Sequence, residues 1–319
     1  MRTSSRRRPL RVPFLAVIAL TVLACERSRQ APPADTAVGV PVPPPVDSAP
    51  PPVPSTWDAA LGPVLWVAGA TPDEAVAVFP DYTDSTLTDT TTFDVSAVQP
   101  AAVELFTREG RVGRARVALA GARPRAAAEC TAWPTARVDR VGAGAGWGVA
   151  FPEGKAVAIP LDSIEDDAPA DSALLAATVT RLAAALPGDT AALFRGLPFF
   201  VRSARRFSPA PDVDAVVAQL VRKVNQEANP LEEHIMVVGE RPASSPAKTP
   251  YTAAYVERVS GMEETIEASD VLAAVRLGAA GTPTLVIGRD YGDGMVYALL
   301  QRGDEGRWRL RWSSAYAGC

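Results

Sequence analysis

The sequence predicts an α+β body that consists mostly of antiparallel β meanders and hairpins, with two or three helices inserted in the middle of the chain. Three observations support this class. Short apolar runs bounded by Gly, Pro and Asp recur along the body, as strands do, and glycine-containing turns join several of them at hairpin spacing. In a few segments the apolar residues recur every three or four positions, which is the period of a helix. A degenerate β-propeller-like body is the alternative.

The first half of the body contains the clearest strand patterns. Two isolated apolar runs, residues 64–67 and 75–79, each predict a strand. Two further pairs of runs flank glycine turns and predict hairpins: residues 103–108 with 112–119, and residues 147–151 with 156–159. We therefore expect short antiparallel pairs in this half.

Helical spacing marks three segments further along. Asp171 is placed to cap a helix over residues 171–186. Over residues 212–228 apolar residues recur at i, i+3, i+4, i+7, i+8 and i+11, which predicts a helix although most of them are valine, a residue that favours strands. Residues 270–277 predict a short third helix, and residues 197–204 a buried strand.

The last third of the sequence repeats itself. IMVVGER at residues 235–241 parallels TLVIGRD at residues 284–290. Residues 251–261 and 295–306 share an apolar strand, an arginine and a glycine turn. Such internal similarity predicts successive antiparallel meander units.

The first 25 residues form a separate segment with the pattern of an export signal. Five arginines and no acidic residue precede a predominantly apolar run, residues 12–24, which ends at Cys25. A basic segment followed by a short apolar run is typical of a secretory signal peptide. The run is shorter than the roughly 20 residues that a membrane-spanning helix needs.

The end of this run, VLAC at residues 22–25, resembles the lipobox of bacterial lipoproteins. The resemblance implies cleavage before Cys25 and attachment of lipid to its thiol and its new amino group. An ordinary signal peptide with a cysteine near its end is the alternative. Residues 5–11 also resemble a twin-arginine export signal, with Pro9 where that pattern prefers an aromatic residue, so both export routes stay open.

A proline-rich segment separates this leader from the body. Ten of the 24 residues from 31 to 54 are proline, and residues 26–56 contain no aromatic residue. Such a segment cannot bury enough apolar surface to offset the entropy of ordering it. The predicted organisation is a signal peptide over residues 1–24, a lipidated, disordered tether over residues 25–56, and a globular body over residues 57–319 with a sub-boundary near 165–210.

Charge restricts the class of partner. The chain has 32 basic and 36 acidic residues, and removal of the five leader arginines leaves 27 basic residues and a net charge of −9. No basic patch is interleaved with aromatic residues, which argues against a nucleic-acid partner. The predicted location is an envelope membrane facing the periplasm or the cell surface, with the lipid bilayer as one partner and an envelope protein or glycan as the other.

The three cysteines are expected to have two different roles, lipid attachment and disulfide formation. Lipidation of Cys25 leaves Cys130 and Cys319, and in an oxidising compartment we expect these two to form a disulfide. Two separate buried thiols are the alternative. With one histidine in the chain, a zinc site of the usual kind is not predicted, and neither is a cofactor.

Acidic residues near the single histidine are the strongest candidates for chemistry. His234 follows Glu232 and Glu233, so a carboxylate could orient it as a general base. No Gly-x-Ser-x-Gly segment supplies a nucleophile for it. Glycoside hydrolysis would instead need an acid–base pair of carboxylates, and the residues that could pair with Glu233 are Glu263, Glu264 and Glu267.

Residues 225–233 place oxygen-bearing side chains at i, i+2, i+4 and i+8, and are similar to the calcium loops of FG-GAP propeller repeats. They depart from that pattern at Pro230, where the repeats have glycine, and they contain no aspartate. A second acidic segment, residues 81–94, does not match the spacing of a known calcium loop. No metal site is therefore predicted.

Two functions are consistent with these patterns. The first is a membrane-anchored envelope lipoprotein with a non-catalytic binding or structural role. The second is an anchored hydrolase of envelope glycan or peptide that uses a carboxylate pair. The lack of a nucleophile or metal motif favours the first. A cleft holding Glu233 and either Glu263 or Glu264 about 5–9 Å apart would favour the second.

Overall fold

The computed structural model of this chain describes residues 57–84, 98, 100–119, 131–140, 146–187, 191–224 and 230–318. Within these residues the chain forms seventeen β-strands, three single-turn 3₁₀ helices and one α-helix of 16 residues. The strands are β1 Leu65–Ala68, β2 Glu74–Val78, β3 Ala101–Thr107, β4 Gly110–Leu119, β5 Thr135–Arg140, β6 Val149–Pro152, β7 Ala156–Ala158, β8 Asp162–Ser163, β9 Phe200–Phe207, β10 Val213–Val224, β11 Leu231–Pro242, β12 Thr252–Met262, β13 Ala268–Leu277, β14 Thr282–Asp290, β15 Gly294–Arg302, β16 Trp308–Ser313 and β17 Ala317–Gly318. The helix is α1 Pro169–Ala184, and the 3₁₀ turns are Ala59–Leu61, Ile164–Asp166 and Ala192–Phe194.

The strands form one barrel and two sheets, all antiparallel. The six strands of the first half close into a barrel in the order β1-β2-β5-β4-β3-β6, with β6 paired back to β1. A five-stranded sheet follows the order β12-β11-β10-β9-β8, and a six-stranded sheet the order β16-β15-β14-β13-β7 with β17 beside β15. All of these strands belong to one compact unit, Pro50–Cys319.

Three apolar clusters stack the elements in layers. Helix α1 packs on one face of the five-stranded sheet through Leu175 and Val179. The other face of that sheet packs on the six-stranded sheet, where Met236 meets residues such as Ile287. The far face of the six-stranded sheet packs on the barrel, with Trp312 fully buried. The order is therefore helix, sheet, sheet, barrel.

Helix α1 confirms the helix predicted over residues 171–186, with a start two residues earlier. Its first residue is Pro169, whose fixed backbone angle and missing N–H suit a first helical position. The N-cap is Ala168 and makes no side-chain cap, so the expected capping role of Asp171 was wrong. Instead Ser172 Oγ donates to the carbonyl of Ile164 at 2.6 Å and ties the first turn to the preceding 3₁₀ turn.

The predicted α+β class was wrong, because two of the three expected helices are strands. Residues 212–228 were expected to be helical, and their described part is the strand β10. Four consecutive residues, Ala215 to Ala218, are at most 3% exposed because the helix covers one face and the second sheet covers the other. A strand buried on both faces shows a continuous apolar run, and such a run also fills helical positions.

The same cause applies to residues 270–277, which form β13 instead of a short helix. Ala273 and Val275 face the barrel while Val271 and Ala274 face the five-stranded sheet. A bulge between Val271 and Ala273 shifts the alternation by one position and makes the pattern resemble a helix. The alternative of a β-propeller was wrong too, since the described strands form a barrel and two stacked sheets.

Of the two predicted hairpins, one forms. Strands β3 and β4 pair across a turn at Arg108 and Glu109, as expected. Strands β6 and β7 flank Glu153–Lys155 but do not pair with each other, because β6 closes the barrel on β1 and β3 while β7 pairs with β13. The chain leaves the barrel and enters the second half of the fold at this turn.

The repeated motifs of the last third lie on equivalent strands. IMVVGER lies on β11 and TLVIGRD on β14, and each strand sits inside an antiparallel meander, β9 to β12 or β13 to β16. The antiparallel pairs expected within the repeated units are present, β11 with β12 and β14 with β15, but one strand of each meander, β10 or β13, was expected to be a helix. The described residues include no helix with the length and apolar character needed to cross a membrane.

Candidate ligand-binding cleft

The two stacked sheets separate at one end and leave a polar cleft of about 480 Å³. Here β10 ends, β11 begins and β12 ends, opposite the start of β13 and the end of β14. The lining residues are Arg202, Val221, Lys223, Glu232, His234, Glu263, Glu264, Ile266, Ala268, Asp290 and Gly292. Most of the candidates singled out by sequence lie in this one place.

Strand alternation decides which side chains reach the cleft. Along β11, Met236 and Val238 face the six-stranded sheet, whereas Ile235 and Val237 face α1. Alternate side chains of a strand point to opposite faces, so Glu232 and His234 lie on the cleft side with Met236. Lys223 on β10 is the register partner of Glu232 and completes the inner wall.

An ion-pair network crosses the inner wall of the cleft. Lys223 Nζ pairs with Glu232 and donates to Glu263 Oε1 at 2.9 Å. His234 Nε2 lies 2.5 Å from the other oxygen of Glu232. The Glu232 side chain is only 5% exposed, so these bonds stabilise a carboxylate that would otherwise be costly to bury.

The pKa of Glu232 reflects this balance. Burial acts to raise it, but the hydrogen bonds from Lys223 and His234 outweigh burial and hold the pKa of Glu232 below its ordinary value. The same bonds from Glu232 and Glu263 raise the pKa of Lys223. Both groups therefore carry charge at neutral pH.

Glu233 lies on the opposite face of the sheet. Its carboxylate accepts from Arg222 Nε at 2.7 Å, and the side chains of the pair are 8% and 2% exposed. The Arg222 guanidinium also stacks on the ring of Phe199, 4.5 Å from its centroid. The proposed pairing of Glu233 with Glu263 or Glu264 is therefore not made, and the carboxylate that shares a cleft with them is Glu232.

The cleft continues inward as a small cavity of about 20 Å³, the size of one water. Arg202 and His234 line both spaces, and Glu267 and Ser269 lie in the inner one. Burial raises the pKa of Glu267, although Arg289 and a hydrogen bond from Tyr291 oppose that effect. The surroundings of Glu267 in the inner cavity therefore favour its protonated form.

A second carboxylate in the inner cavity has a structural role. Glu257 on β12 pairs with Arg289 on β14 and accepts from Tyr255 Oη at 3.0 Å. Ser269 Oγ also donates to it. These bonds connect the two sheets across the base of the cleft, so Glu257 is fully engaged within the protein.

Metal binding has no support in the described residues, which contain no group of three or more His, Cys, Asp or Glu side chains arranged to hold an ion. The FG-GAP-like segment lies mostly at residues 225–229, outside the described part of the chain. Residues 85–94 of the second acidic segment also lie outside it.

All three cysteines, Cys25, Cys130 and Cys319, lie outside the described residues. The neighbours of the last two are described, and they contact each other. Thr131 N donates to the carbonyl of Gly318 at 2.8 Å, and Gly318 N donates to Thr131 Oγ1 at 3.2 Å. The disulfide between Cys130 and Cys319 stays a prediction.

Sequence reasoning missed Arg202, Lys223 and Asp290 as cleft residues. A weak signal existed for Lys223, because the chain has only three lysines, Lys155, Lys223 and Lys248. Arg202 and Asp290 had no such signal, since they reach the cleft only through the stacking of two sheets distant in sequence.

Comparison with known proteins does not assign the chain to a family. No protein-family model, no curated protein and no solved structure matches it.

Proposed function

We propose that this protein is a membrane-anchored lipoprotein of the bacterial envelope that binds a ligand in the cleft between its two sheets and does not catalyse a reaction. The observation that carries the proposal is the cleft itself. It combines about 480 Å³ of open volume with charged walls, and a concave site with a few placed polar groups is the usual form of a small-ligand site.

The pairing inside the cleft supports binding over catalysis. Lys223 holds two carboxylates, Glu232 and Glu263, and His234 adds to the same cluster. A general acid or base needs a proton that it can release near the working pH, whereas these bonds hold Glu232 in its charged form. The network is suited to keeping the inner wall of the cleft rigid.

Anchoring by Cys25 supplies the location. The basic leader, the short apolar run and the cysteine occur in the order of a lipoprotein signal, and the proline-rich segment that follows suits a spacer between bilayer and body. Metabolic labelling with an alkyne fatty acid tests this step. We expect label on the wild type and none on Cys25→Ala. Unlabelled wild type, or equal label on both, would contradict the anchor.

Binding in the cleft is tested with the mature protein and isolated envelope fractions. We expect the wild type to co-sediment with a fraction and Lys223→Met to lose most of that binding, because Glu232 and Glu263 then repel each other and the wall rearranges. Lys248→Met is the matched control, since Lys248 is exposed in the β11–β12 loop, away from the cleft. Equal binding by both variants would count against the cleft.

A hydrolase is the second candidate, favoured by one specific observation. Glu267 has a raised pKa and Glu232 a lowered one, and paired environments that separate two carboxyl pKa values are typical of acid–base catalysis. Purified protein incubated with envelope glycan and peptide tests this. Product released by the wild type and not by Glu267→Gln would establish hydrolysis, and no release by either would exclude the candidate for those substrates.

A further inference from the structure

Three charged side chains of the cleft have no ion-pair partner among the described residues. Arg202, Glu264 and Asp290 each line the cleft, and none of them pairs with a group of opposite charge in that part of the chain. Asp290 Oδ1 accepts only from the backbone of Gly292, at 2.8 Å. Since Lys223 and its carboxylates satisfy one another, these three charges are the ones available to a ligand.

The positive and the negative unpaired side chains lie at different ends of the cleft. Arg202 lies on β9, and Glu264 is the second residue after β12 of the same sheet. Strands β10 and β11 lie between β9 and β12, which separates the two positions by about 14 Å across the strands. They are also displaced along the strands, because the register sets Arg202 opposite Arg258, six residues before Glu264. Asp290 ends β14 of the facing sheet and adds a second negative group. The cleft is therefore positive toward β9 and negative toward the β12–β13 turn.

The surface around these charges includes apolar groups. Val221, Ile266 and Ala268 line the cleft together with the charged residues. An extended peptide rises about 3.4 Å per residue. With the reach of the Arg202 and Glu264 side chains, an extended peptide of about four residues spans this separation, and its side chains can contact the apolar patches.

We propose that the cleft binds a short peptide with free ends, its carboxylate on Arg202 and its ammonium group between Glu264 and Asp290. This inference rests on the binding function proposed above and names the ligand class of that site. Free oligopeptides share this chemistry with peptides that are attached through a side chain or a linker to envelope glycan. A comparison of the affinities for the two kinds of peptide distinguishes these sources.

Calorimetric titration of the mature full-length lipoprotein in detergent micelles with tetraalanine provides the test. We expect tetraalanine to bind, and N-acetylation or C-amidation to weaken binding at least tenfold each, which is the effect of losing about one ion pair. Soluble glycan fragments that carry peptides form a second arm. Tighter binding of these fragments than of tetraalanine assigns the ligand to the cell wall, and the reverse order assigns it to free peptides.

Two variants locate the ends of the peptide. Arg202→Gln should abolish the preference for a free carboxylate while keeping the preference for a free amine, and Glu264→Gln combined with Asp290→Asn should do the opposite. Arg195→Gln and Glu305→Gln are the matched controls, because both residues are exposed and lie outside the cleft lining. The controls should bind like the wild type.

A failure of the peptide proposal can be distinguished from a failure of the proposed binding function. Equal affinity for free and blocked peptides would overturn the inference. Binding of peptide-free glycan in place of any peptide would overturn it too, while leaving a binding function for the cleft. Failure of peptides, glycan and envelope fractions alike would overturn both proposals.

Discussion

At the scale of single residues, the face of β11 on which a side chain lies decides its role. Glu232 and Glu233 are neighbours in sequence, yet one lies in the cleft with Lys223 and the other is buried on the opposite face of the sheet with Arg222, whose guanidinium lies over Phe199. The first contributes to a surface that a ligand can reach. The second contributes to the interior, where an unpaired charge is much more costly than a paired one.

The buried pair gives a prediction about stability. Arg222→Met leaves Glu233 charged and without a partner in a site where its side chain is 2% exposed, so we expect a loss of about 3–5 kcal/mol in the free energy of unfolding by urea. Glu233→Leu added to Arg222→Met should recover most of that loss. The control is Arg137→Met, because the Arg137–Asp139 pair is exposed and should be worth at most about 1 kcal/mol. Similar losses for Arg222→Met and Arg137→Met would contradict the account.

The Glu232 network gives a prediction about pH. The pKa of Glu232 is lower in the folded protein than its ordinary value of 4.5, so its contribution to stability is present above that value and is lost as the pH falls through the folded pKa. The difference in unfolding free energy between wild type and Glu232→Gln should therefore be largest at pH 6–7 and shrink below about pH 4.5. Urea unfolding between pH 3 and 7 measures it. A difference that grows toward low pH would have the wrong sign.

At the scale of elements, a glycine in each copy of the repeated motif leaves room for the side chains of neighbouring elements. Gly239 on β11 lies under α1, where an added Cβ would be 2.9 Å from the Cβ of Tyr251 and 3.0 Å from Leu182 Cδ2. Gly288 holds the equivalent place in the second copy of the repeated motif, close to Met295. The shared glycine of the two motifs therefore has a packing reason in each sheet.

This close approach gives a prediction for the helix–sheet interface. Gly239→Ala should destabilise the protein by about 1–3 kcal/mol, because the new methyl group overlaps Tyr251 and Leu182 and forces α1 away from the sheet. Gly113→Ala on β4 is the matched control, since no atom lies within 4 Å of its added Cβ, and it should change stability by less than about 0.5 kcal/mol. Thermal and urea unfolding compare the two. Equal stability of both variants would show that the interface adapts.

At the scale of the whole molecule, the chain returns at its end to the barrel at its beginning. Hydrogen bonds between Thr131 and Gly318 join positions 187 residues apart, and these two residues are the sequence neighbours of Cys130 and Cys319. A disulfide between Cys130 and Cys319 would close a loop of 190 of the 263 residues from 57 to 319. Because a cross-link restricts the unfolded chain more when the loop is long, its expected effect is large.

The disulfide gives the fourth prediction. Exported protein should show the Cys130–Cys319 linkage in peptide mapping without reductant, and Cys130→Ser with Cys319→Ser should lower the unfolding free energy by about 4–5 kcal/mol in the chain-entropy model. Wild type measured in reductant should match the double variant. Two thiols that alkylate freely in the native exported protein would contradict the linkage.

Local patterns were sufficient where neighbours in sequence form the structure. The β3–β4 hairpin, helix α1 and the pairs β11–β12 and β14–β15 follow from turns and periodicity over short stretches, so they were predictable. Only some residues of the candidate cleft could be predicted from the sequence. Proximity in sequence put Glu232 next to His234, but nothing local indicated that Arg202 or Asp290 would join them.

The composition and order of residues alone predict an export-type leader and a proline-rich tether, and they predicted the β-rich character of the body, because each depends on local chemistry. Three features depended on packing: β10 and β13 are strands, β7 leaves β6 for β13, and Glu232 rather than Glu233 lies in the cleft. In each case the outcome depends on what covers the faces of a strand. Those covering groups come from distant parts of the chain, so a local pattern does not specify them.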